Sequence, residues 1–97
     1  MIRSFRDLGT EGIFDGADTA PARCRCPRDL WPVARRKLDQ VNRVRDRREL
    51  AVPPGNRLEQ LRASRSGQHS IRINNQYRLC FRWEAGDAYD VEITDYH

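Results

Sequence analysis

Arginines supply most of the chemistry that this sequence can perform. Seventeen of the 18 basic residues are arginines, and the other is Lys37. Arg72 and Arg78 flank a predicted turn, and the printed sequence ends on Tyr96 and His97. Guanidinium groups bind phosphate oxygens through paired hydrogen bonds, and imidazole transfers protons near neutral pH. Two guanidiniums, a phenol and an imidazole are together suited to binding a phosphodiester and moving protons around it.

Three segments that alternate apolar and polar residues predict the strands that carry these side chains: residues 70–73, 77–83 and 88–95. In an antiparallel pair, residues that lie opposite each other share one face of the sheet. The apolar positions of the last two strands are all odd-numbered, and we expect them to face the core: Tyr77, Leu79, Phe81, Trp83, Tyr89, Val91 and Ile93.

The odd-numbered core sets the expected register of the last hairpin. A three-residue loop at residues 85–87, with a glycine available for positive φ, satisfies this parity. The register places Arg82 opposite Asp90 and Arg78 opposite Thr94. On the outward face, Arg82 therefore meets a carboxylate, whereas Arg78 meets a threonine.

The preceding hairpin follows the same rule, with a loop at residues 74–76 and Arg72 directly opposite Arg78. Like charges that lie opposite each other destabilise a sheet. Two interpretations are open: the pair binds a phosphate, or diagonal ion pairs to Glu92 neutralise an ordinary surface. Tyr96 shares the outward parity of Arg78.

Residues 29–47 give the clearest helical pattern, with Asp29 as the expected N-cap and Pro32 in the first turn. Apolar residues recur at helical spacing along one side of this helix. The opposite side is either a solvated face or a surface for an RNA or protein partner. It carries four arginines: Arg35, Arg36, Arg43 and Arg47.

The rest of the chain gives weaker signals, and all of it fits a single α+β domain over residues 1–97. Residues 2–5 predict a short first strand, and residues 10–15 predict a short helical turn. Prolines favour a loop from there to position 27. Residues 56–69 are interpreted as an irregular basic connection.

Charge is distributed unevenly along the chain. The formal net charge is +4, yet residues 55–82 carry six arginines against one acid. Residues 83–97 carry five acids and no lysine or arginine. A small basic protein favours a polyanionic partner, and a basic surface that only aids solubility is the alternative.

Composition excludes several classes of protein. No stretch approaches the roughly 18 apolar residues of a membrane span, and the first residues lack the apolar segment of a signal peptide. Three cysteines argue against a disulfide scaffold and favour a reducing cytoplasm. Cys24 and Cys26 are thiols separated by one residue, but a structural zinc site needs four ligands, so we expect no metal.

Residues 70–83, SIRINNQYRLCFRW, and residues 87–97, DAYDVEITDYH, closely resemble HigB-type toxins of the RelE/ParE superfamily. Residues 1–5, MIRSF, also look like the start of these toxins, so the resemblance covers nearly the whole chain. It implies a RelE-like compact domain with N-terminal helices packed on a twisted antiparallel sheet. It also implies an mRNA endonuclease that acts in the ribosomal A site without a cofactor.

The resemblance further implies a partner, a helix-turn-helix antitoxin of HigA type. This partner inhibits the toxin, which is expected to be a monomer when free and a hetero-oligomer when bound. The helix arginines are then expected to face either the antitoxin or ribosomal RNA.

Five residues of this chain match, or stand at, functional positions of the family. Arg78 matches the strand arginine that contacts the scissile phosphate. Asp95, Tyr96 and His97 match the C-terminal catalytic motif, and Arg62 stands where the family often has lysine. In this interpretation His97 transfers protons, Tyr96 stacks on or orients a base, and Asp95 positions the end of the strand.

Three further arginines are expected to bind RNA phosphates alongside Arg78: Arg57, Arg65 and Arg72. The chain also departs from the family pattern. Ala63 and Ser64 replace a Gly-Asp pair, and Glu59 occupies a position where some members have histidine. These departures keep open a module that binds RNA or antitoxin without catalysis. A gyrase poison of ParE type is the other alternative, and the terminal Asp-Tyr-His motif argues against it.

Overall fold

Three α-helices followed by four strands make up the described part of the chain. The computed structural model describes residues 1–95, and Tyr96 and His97 lie outside the described residues. The elements are α1 (Leu8–Asp15), α2 (Ala20–Arg25), α3 (Trp31–Arg43), β1 (Glu59–Gln60), β2 (Gln68–Arg72), β3 (Tyr77–Glu84) and β4 (Asp87–Asp95). Short 3₁₀ turns fill the connections at Arg28–Leu30, Arg47–Ala51, Pro54–Asn56 and Ala63–Arg65.

The strands form one antiparallel sheet in the order β1–β2–β3–β4, and the predicted α+β class is confirmed. The core lies between the helices and the odd-numbered face of the sheet. Ala34, Leu38 and Val41 recur on one side of α3 and are fully buried, as its amphipathic pattern predicts. On the sheet side the fully buried residues include Leu79, Phe81 and Val91. No helix among residues 1–95 is long and apolar enough to cross a membrane.

The long helix begins later than predicted. A 3₁₀ turn at Arg28–Leu30 precedes α3, so Asp29 is not its N-cap, and the residue before Trp31 makes no side-chain capping bond. Pro32 does lie in the first turn, where its missing N–H costs no hydrogen bond. The Trp31 indole N–H donates to the Cys26 carbonyl at 3.1 Å, which fixes the entry into the helix.

The helix also ends earlier than predicted, at Arg43, because Val44 is extended. Asp46 and Glu49 then form a reciprocal capping box that starts a separate 3₁₀ turn. Arg47 belongs to that turn, so the predicted helix over residues 29–47 is wrong in its last four positions.

The first residues lie beside β4 without forming a regular strand. Ile2 and Phe5 make isolated parallel bridges with Ala88 and Val91, so the predicted strand over residues 2–5 is wrong. The segment still covers this edge of the sheet, because Arg3 and Arg6 donate backbone hydrogen bonds to β4 carbonyls.

Two short elements were absent from the sequence-based expectation. Helix α2 lies where a loop was expected, with Thr19 as its N-cap and Pro21 in its first turn. Strand β1 lies inside the expected irregular connection and pairs Glu59 with Ser70. Neither element is long enough to show a hydrophobic period in the sequence.

The predicted register of the β2–β3 hairpin is confirmed, including Arg72 opposite Arg78. In the β3–β4 hairpin, the predicted register is confirmed from Tyr77 opposite Asp95 to Cys80 opposite Glu92.

Beyond that point a β-bulge shifts the pairing, and the turn has two residues rather than three. Ala85 and Gly86 have φ values of +50° and +84°, as a tight hairpin turn with the strand twist requires. Asp90, with φ of +52°, takes up the extra residue.

The bulge corrects two expectations about side chains. Arg82 lies opposite Tyr89 rather than Asp90, although its Nε still donates to Asp90 Oδ2 at 2.9 Å. Tyr89 moves from the expected core face to the outer face, where the Arg82 guanidinium carbon is 5.3 Å from its ring centroid. Ala88, opposite Trp83, takes the buried position instead.

Candidate functional site

Arg78 is held rigidly at the centre of the sheet. Its residue is 8% exposed, and its Nε donates to Ser70 Oγ of the neighbouring strand at 2.9 Å. Its Nη2 donates to the backbone carbonyl of Arg57 at 2.6 Å. The side chain therefore ties two strands to the loop before β1, and its orientation is fixed before any ligand arrives.

The loop whose carbonyl accepts a hydrogen bond from Arg78 takes its shape from residues close to it in the sequence. The 3₁₀ turn Pro54–Asn56 ends at Arg57, which has a left-handed φ of +46°. Asn56 is fully buried, and its amide donates to the Leu50 carbonyl and to Gln40 Oε1, both at 3.0 Å. These bonds anchor the loop to α3 and place Arg57 beside the sheet.

An open cavity of about 360 Å³ lies at this point. We call it the arginine cavity, and its lining residues are Arg57, Glu59, Arg72, Asn74, Asn75 and Arg78. Three guanidiniums and one carboxylate give the lining a formal charge of +2. The structure thus brings together three of the arginines that the sequence marks as phosphate ligands.

Glu59 is the charged residue of the cavity to which the sequence assigned no role. Its Oε1 lies 3.8 Å from Arg78 Nη2, and its side chain is 52% exposed. Glu59 lies opposite Ser70, and Ser70 lies opposite Cys80, so all three share the face that carries Arg78. Parity alone would have placed it there if β1 had been recognised, but a two-residue strand has no period to detect.

Arg72 and Arg78 lie opposite each other, but their guanidiniums are held apart because they donate to different partners. Arg72 Nη2 donates to Asn75 Oδ1 in the turn that connects the two strands. Arg78 instead donates to Ser70 and Arg57. The like-charged pair is therefore spread across one side of the arginine cavity.

Arg65 lies in a different cavity from Arg72. This second cavity has a volume of about 330 Å³, and Arg65, Glu92 and Asp95 are among its lining residues. Arg65 Nη1 donates to the buried Glu92 at 2.6 Å, and Arg6 approaches the same carboxylate at 3.4 Å. Glu92 therefore neutralises Arg65, rather than the Arg72 and Arg78 pair.

Asp95 lies opposite Tyr77, as predicted, and accepts a hydrogen bond from Gln76 Nε2 at 3.1 Å. Thr94 lines the second cavity and lies directly opposite Arg78, which lines the arginine cavity. The two cavities are therefore lined by residues of neighbouring strands. Tyr96 and His97, the expected proton-transfer residues, lie outside the described residues. Their roles stay predictions.

Arg62 is exposed and lines neither of these two cavities. Within residues 1–95 its guanidinium makes no hydrogen bond or ion pair, and its assistance in catalysis stays a prediction. The next residue, Ala63, has a φ of +58° in the region that favours glycine. The loop thus keeps a glycine-like backbone although the family's glycine is absent.

The four arginines expected on one helix face lie in three different places. Arg36 and Arg43 are exposed on α3 and line a larger groove of about 590 Å³, which we call the α3 groove. Arg35 instead donates from Nε to the Ile13 carbonyl at 3.0 Å. Arg47 lies in the following 3₁₀ turn, with its Nη1 3.4 Å from the ring of His69.

His69 is buried on the core face of β2, opposite Phe81. Burial lowers its pKa from the ordinary value, and the charge of Arg47 lowers it further. His69 is therefore neutral near pH 7. Within residues 1–95, no three His, Cys, Asp or Glu side chains are arranged to hold a metal ion.

The arginine cavity has the parts that phosphodiester chemistry needs. Fixed guanidiniums stabilise negative charge that develops on a phosphate in the transition state. A carboxylate within the same cavity is a group that accepts a proton from a hydroxyl. This combination binds an anion through its cations and leaves one base beside it.

Known proteins resemble this chain along its length. The model of a family described as the RelE-like toxin of type II toxin-antitoxin system HigB matches residues 3–97. Toxin HigB-1 of Vibrio cholerae serotype O1 is 45% identical over 58 residues, which are 60% of this chain and 61% of that protein. The aligned part therefore spans less than two thirds of that relative.

Two further relatives align over more of this chain. A Haemophilus influenzae protein, named Uncharacterized protein, is 35% identical over 92% of this chain and 85% of its own length. Endoribonuclease HigB of Proteus vulgaris is 26% identical over the whole of both chains.

The YoeB-YefM complex from Staphylococcus aureus includes a chain that superposes with a TM-score of 0.54 at 12% identity, covering 100% of this chain and 98% of that one. This likeness concerns the fold alone, and it agrees with the predicted RelE-like architecture. The expected resemblance is confirmed, because the family model extends over almost every residue: the chain belongs to the HigB-like family of RelE-like toxins of type II toxin-antitoxin systems.

Proposed function

We propose that this toxin is a metal-independent endoribonuclease that cleaves mRNA in the ribosomal A site and thereby stops translation. The observation that carries the proposal is the arginine cavity, which holds three guanidiniums and the carboxylate of Glu59. The name of the Proteus vulgaris relative, Endoribonuclease HigB, supports the same chemistry. We also place the protein in the cytoplasm, where mRNA is translated.

The reaction uses the RNA strand's own hydroxyl as the nucleophile. Glu59 accepts the proton of the ribose 2′-OH, and the oxygen then attacks the adjacent phosphorus. A new O–P bond forms while the bond to the 5′-oxygen breaks, which leaves a 2′,3′-cyclic phosphate and a 5′-hydroxyl. The leaving oxygen takes a proton from a general acid, for which His97 is the sequence-based candidate. DNA lacks the 2′-OH and is inert in this reaction.

Charge stabilisation falls to three arginines. Arg78 is already oriented by Ser70 and the Arg57 carbonyl, so no reorganisation is needed as charge develops on the phosphate. Arg57 and Arg72 line the same cavity from the loop and from β2. Pre-oriented cations of this kind favour the transition state over the bound substrate.

The partner in this proposal is an antitoxin of HigA type with a helix-turn-helix domain. The family description names a type II toxin-antitoxin system, which supports a protein inhibitor. We propose that the free toxin is a monomer and that inhibition occurs in a hetero-oligomer.

The experiment replaces Glu59 with glutamine, which keeps the shape and removes the base. In a purified translation system, we expect Glu59→Gln to reduce cleavage of a test mRNA about 100-fold, as for the loss of a general base. Because the side chain is exposed, the free energy of unfolding should change by no more than about 0.5 kcal/mol. Primer extension measures the cleavage, and urea titration measures the stability.

The matched control is Glu84→Gln, because Glu84 is similarly exposed and pairs with Arg82 outside the cavity. It should cleave at the wild-type rate. Wild-type cleavage by Glu59→Gln would remove Glu59 from the mechanism. Intact mRNA with the wild-type toxin would overturn the endoribonuclease proposal, and DNA breaks that depend on gyrase would then favour the gyrase poison.

A further inference from the structure

The α3 groove is strongly basic and is not explained by cleavage chemistry. Arg36, Lys37, Arg43 and Arg72 line it, and Asp39 is the acidic residue of its lining. The formal charge of the groove is therefore +3. Four cations gathered from α3 and β2 create a local positive potential that attracts an anion.

Lys37 lies in the wall of the groove, within this potential. Its pKa is lowered, first by burial and then by the charges of Arg36 and Arg72. Its Nζ donates to Asn56 Oδ1, so Lys37 is fixed in the wall. The exposed cations of the groove are Arg36 and Arg43, seven residues apart on the same side of α3.

Arg72 joins the groove to the candidate active site. It lines both the α3 groove and the arginine cavity. Because Arg72 belongs to both linings, the groove adjoins the arginine cavity. The groove and the cavity therefore form one basic track over α3 and the β2–β3 hairpin.

We propose that the α3 groove binds backbone phosphates of the substrate RNA strand beyond the nucleotide that is cleaved. This inference rests on the proposed function, because it takes the strand in the arginine cavity to be RNA. The repeated charges of a polynucleotide match a track of cations, and Arg72 makes the track continuous with the cleavage position.

The lining also indicates which part of the strand is bound. Its apolar members are the aliphatic side chains of Val33, Pro53 and Ile73, and none of the residues from 1–95 that line it is aromatic. Unpaired bases are held by stacking on aromatic rings, whereas phosphates are held by Arg and Lys. The groove accordingly contributes affinity that is independent of base sequence and sensitive to salt.

The test measures how binding depends on strand length. The probes are fluorescein-labelled 2′-O-methyl oligoribonucleotides of 3 and 9 residues, which cannot be cleaved because the 2′-oxygen is blocked. Fluorescence anisotropy gives their affinities for the full chain across a range of salt concentrations. The variant Arg36→Gln/Arg43→Gln removes the two exposed cations and keeps good helix formers at both positions.

We expect the double variant to bind the 9-mer about tenfold more weakly and the 3-mer as well as the wild type does. The slope of log affinity against log salt should decrease by about 1.4, which corresponds to two lost phosphate contacts on a single strand. The control Arg23→Gln/Arg28→Gln changes the net charge equally, at residues that pair with Asp18. It should change 9-mer binding less than twofold.

Three results would overturn the inference: equal affinity of the wild type for both probes, unchanged 9-mer binding in the groove variant, or equal losses in both double variants. Unchanged RNA binding with loss of antitoxin binding would assign the groove to an acidic protein instead. Cleavage of mRNA by the wild type separates this outcome from failure of the proposed function. Urea titration of both double variants verifies that each is folded.

Discussion

Arg78 combines a structural role with a candidate catalytic one. Its guanidinium joins β2 to the Arg57 loop and lines the arginine cavity at the same time. Sequence parity was sufficient to place Arg72 opposite Arg78, because alternation continues through both strands. It was not sufficient to show that Arg78 is buried, since that depends on a loop which carries no periodic signal.

Two substitutions separate these roles of Arg78. Ser70→Ala removes one buried acceptor of the guanidinium and should lower the free energy of unfolding by about 1–2 kcal/mol. Arg78→Lys keeps the charge but loses the fork that reaches two acceptors, and it should cost about 2 kcal/mol. Urea titration gives both values.

Cleavage then distinguishes the two variants. Ser70→Ala keeps the guanidinium in the cavity and should lower mRNA cleavage less than tenfold under conditions where it is folded. Arg78→Lys should lower cleavage more than tenfold at the same folded fraction. Equal activity of the two folded variants would show that the role of Arg78 is only structural.

At the scale of elements, the packing of α1 against α2 depends on a close backbone approach. A Cβ at Gly9 would lie 2.4 Å from the carbonyl oxygen of Pro21, so the helices meet where α1 has no side chain. The sequence contains Gly9 and Pro21, but their contact depends on helix α2. Because of its prolines, the sequence predicted a loop at this position.

Gly9→Ala should therefore destabilise the protein by about 2 kcal/mol, because the backbone of α2 must move to relieve the overlap. Gly12→Ala is the matched control in the same helix. A Cβ there lies 3.3 Å from Thr19 Oγ1, the N-cap hydroxyl of α2, which must move by only a few tenths of an ångström. Alanine stabilises the helix by up to about 1 kcal/mol, which offsets the cost of disturbing this cap, so Gly12→Ala should change the free energy of unfolding by less than about 1 kcal/mol. Thermal unfolding of both variants measures the difference, and similar losses would contradict the α1–α2 approach.

In the β3–β4 hairpin, the alternating pattern predicts only the part of the register before the bulge. Its register follows the odd-numbered core for four pairs, and then the bulge at Asp90 changes the face of Tyr89. A bulge adds one residue without changing the composition of the strand. The two-residue turn at Ala85 and Gly86 decides where the bulge lies. The alternating pattern, which does not reveal the length of the turn, predicted a three-residue loop.

At the scale of the whole molecule, stability depends on keeping His69 neutral inside the fold. The ring lies on the core face of β2, 6.2 Å from the ring of Phe81, with Arg47 Nη1 3.4 Å from its Nε2. Burial lowers the pKa of His69 below the value of an unfolded chain. The folded state therefore resists a proton that the unfolded state accepts.

The free energy of unfolding should fall as the pH drops below about 6.5, the usual pKa of histidine. In that range the unfolded chain binds a proton at position 69 and the folded chain does not, with a limiting slope of about 1.4 kcal/mol per pH unit. Urea titrations between pH 8 and 5 measure the effect.

The comparison protein is His69→Gln, which has no titrating side chain at this position. It should be less stable at pH 8 and should lose less stability on acidification. His97 is present in both proteins and does not affect the difference. Parallel curves for the two proteins would show that His69 does not set the pH dependence.

Family membership was the easiest property to read from the sequence, because the strand residues that carry it are contiguous. The arrangement of the site was harder, since Arg57, Glu59 and Arg72 come from a loop, an edge strand and a central strand. Their convergence requires the tertiary fold.

Of the three cysteines, one is exposed and gives a position for a spectroscopic label. Cys26 and Cys80 are buried, and burial raises the pKa of both thiols, that of Cys26 to about 11. The reactive thiolate is therefore suppressed at both positions. Cys24 is exposed and lines the second cavity together with Arg65 and Asp95. A maleimide dye added to the native protein consequently attaches beside the end of β4, where its emission is a probe for binding of the proposed RNA substrate or antitoxin without any engineered residue.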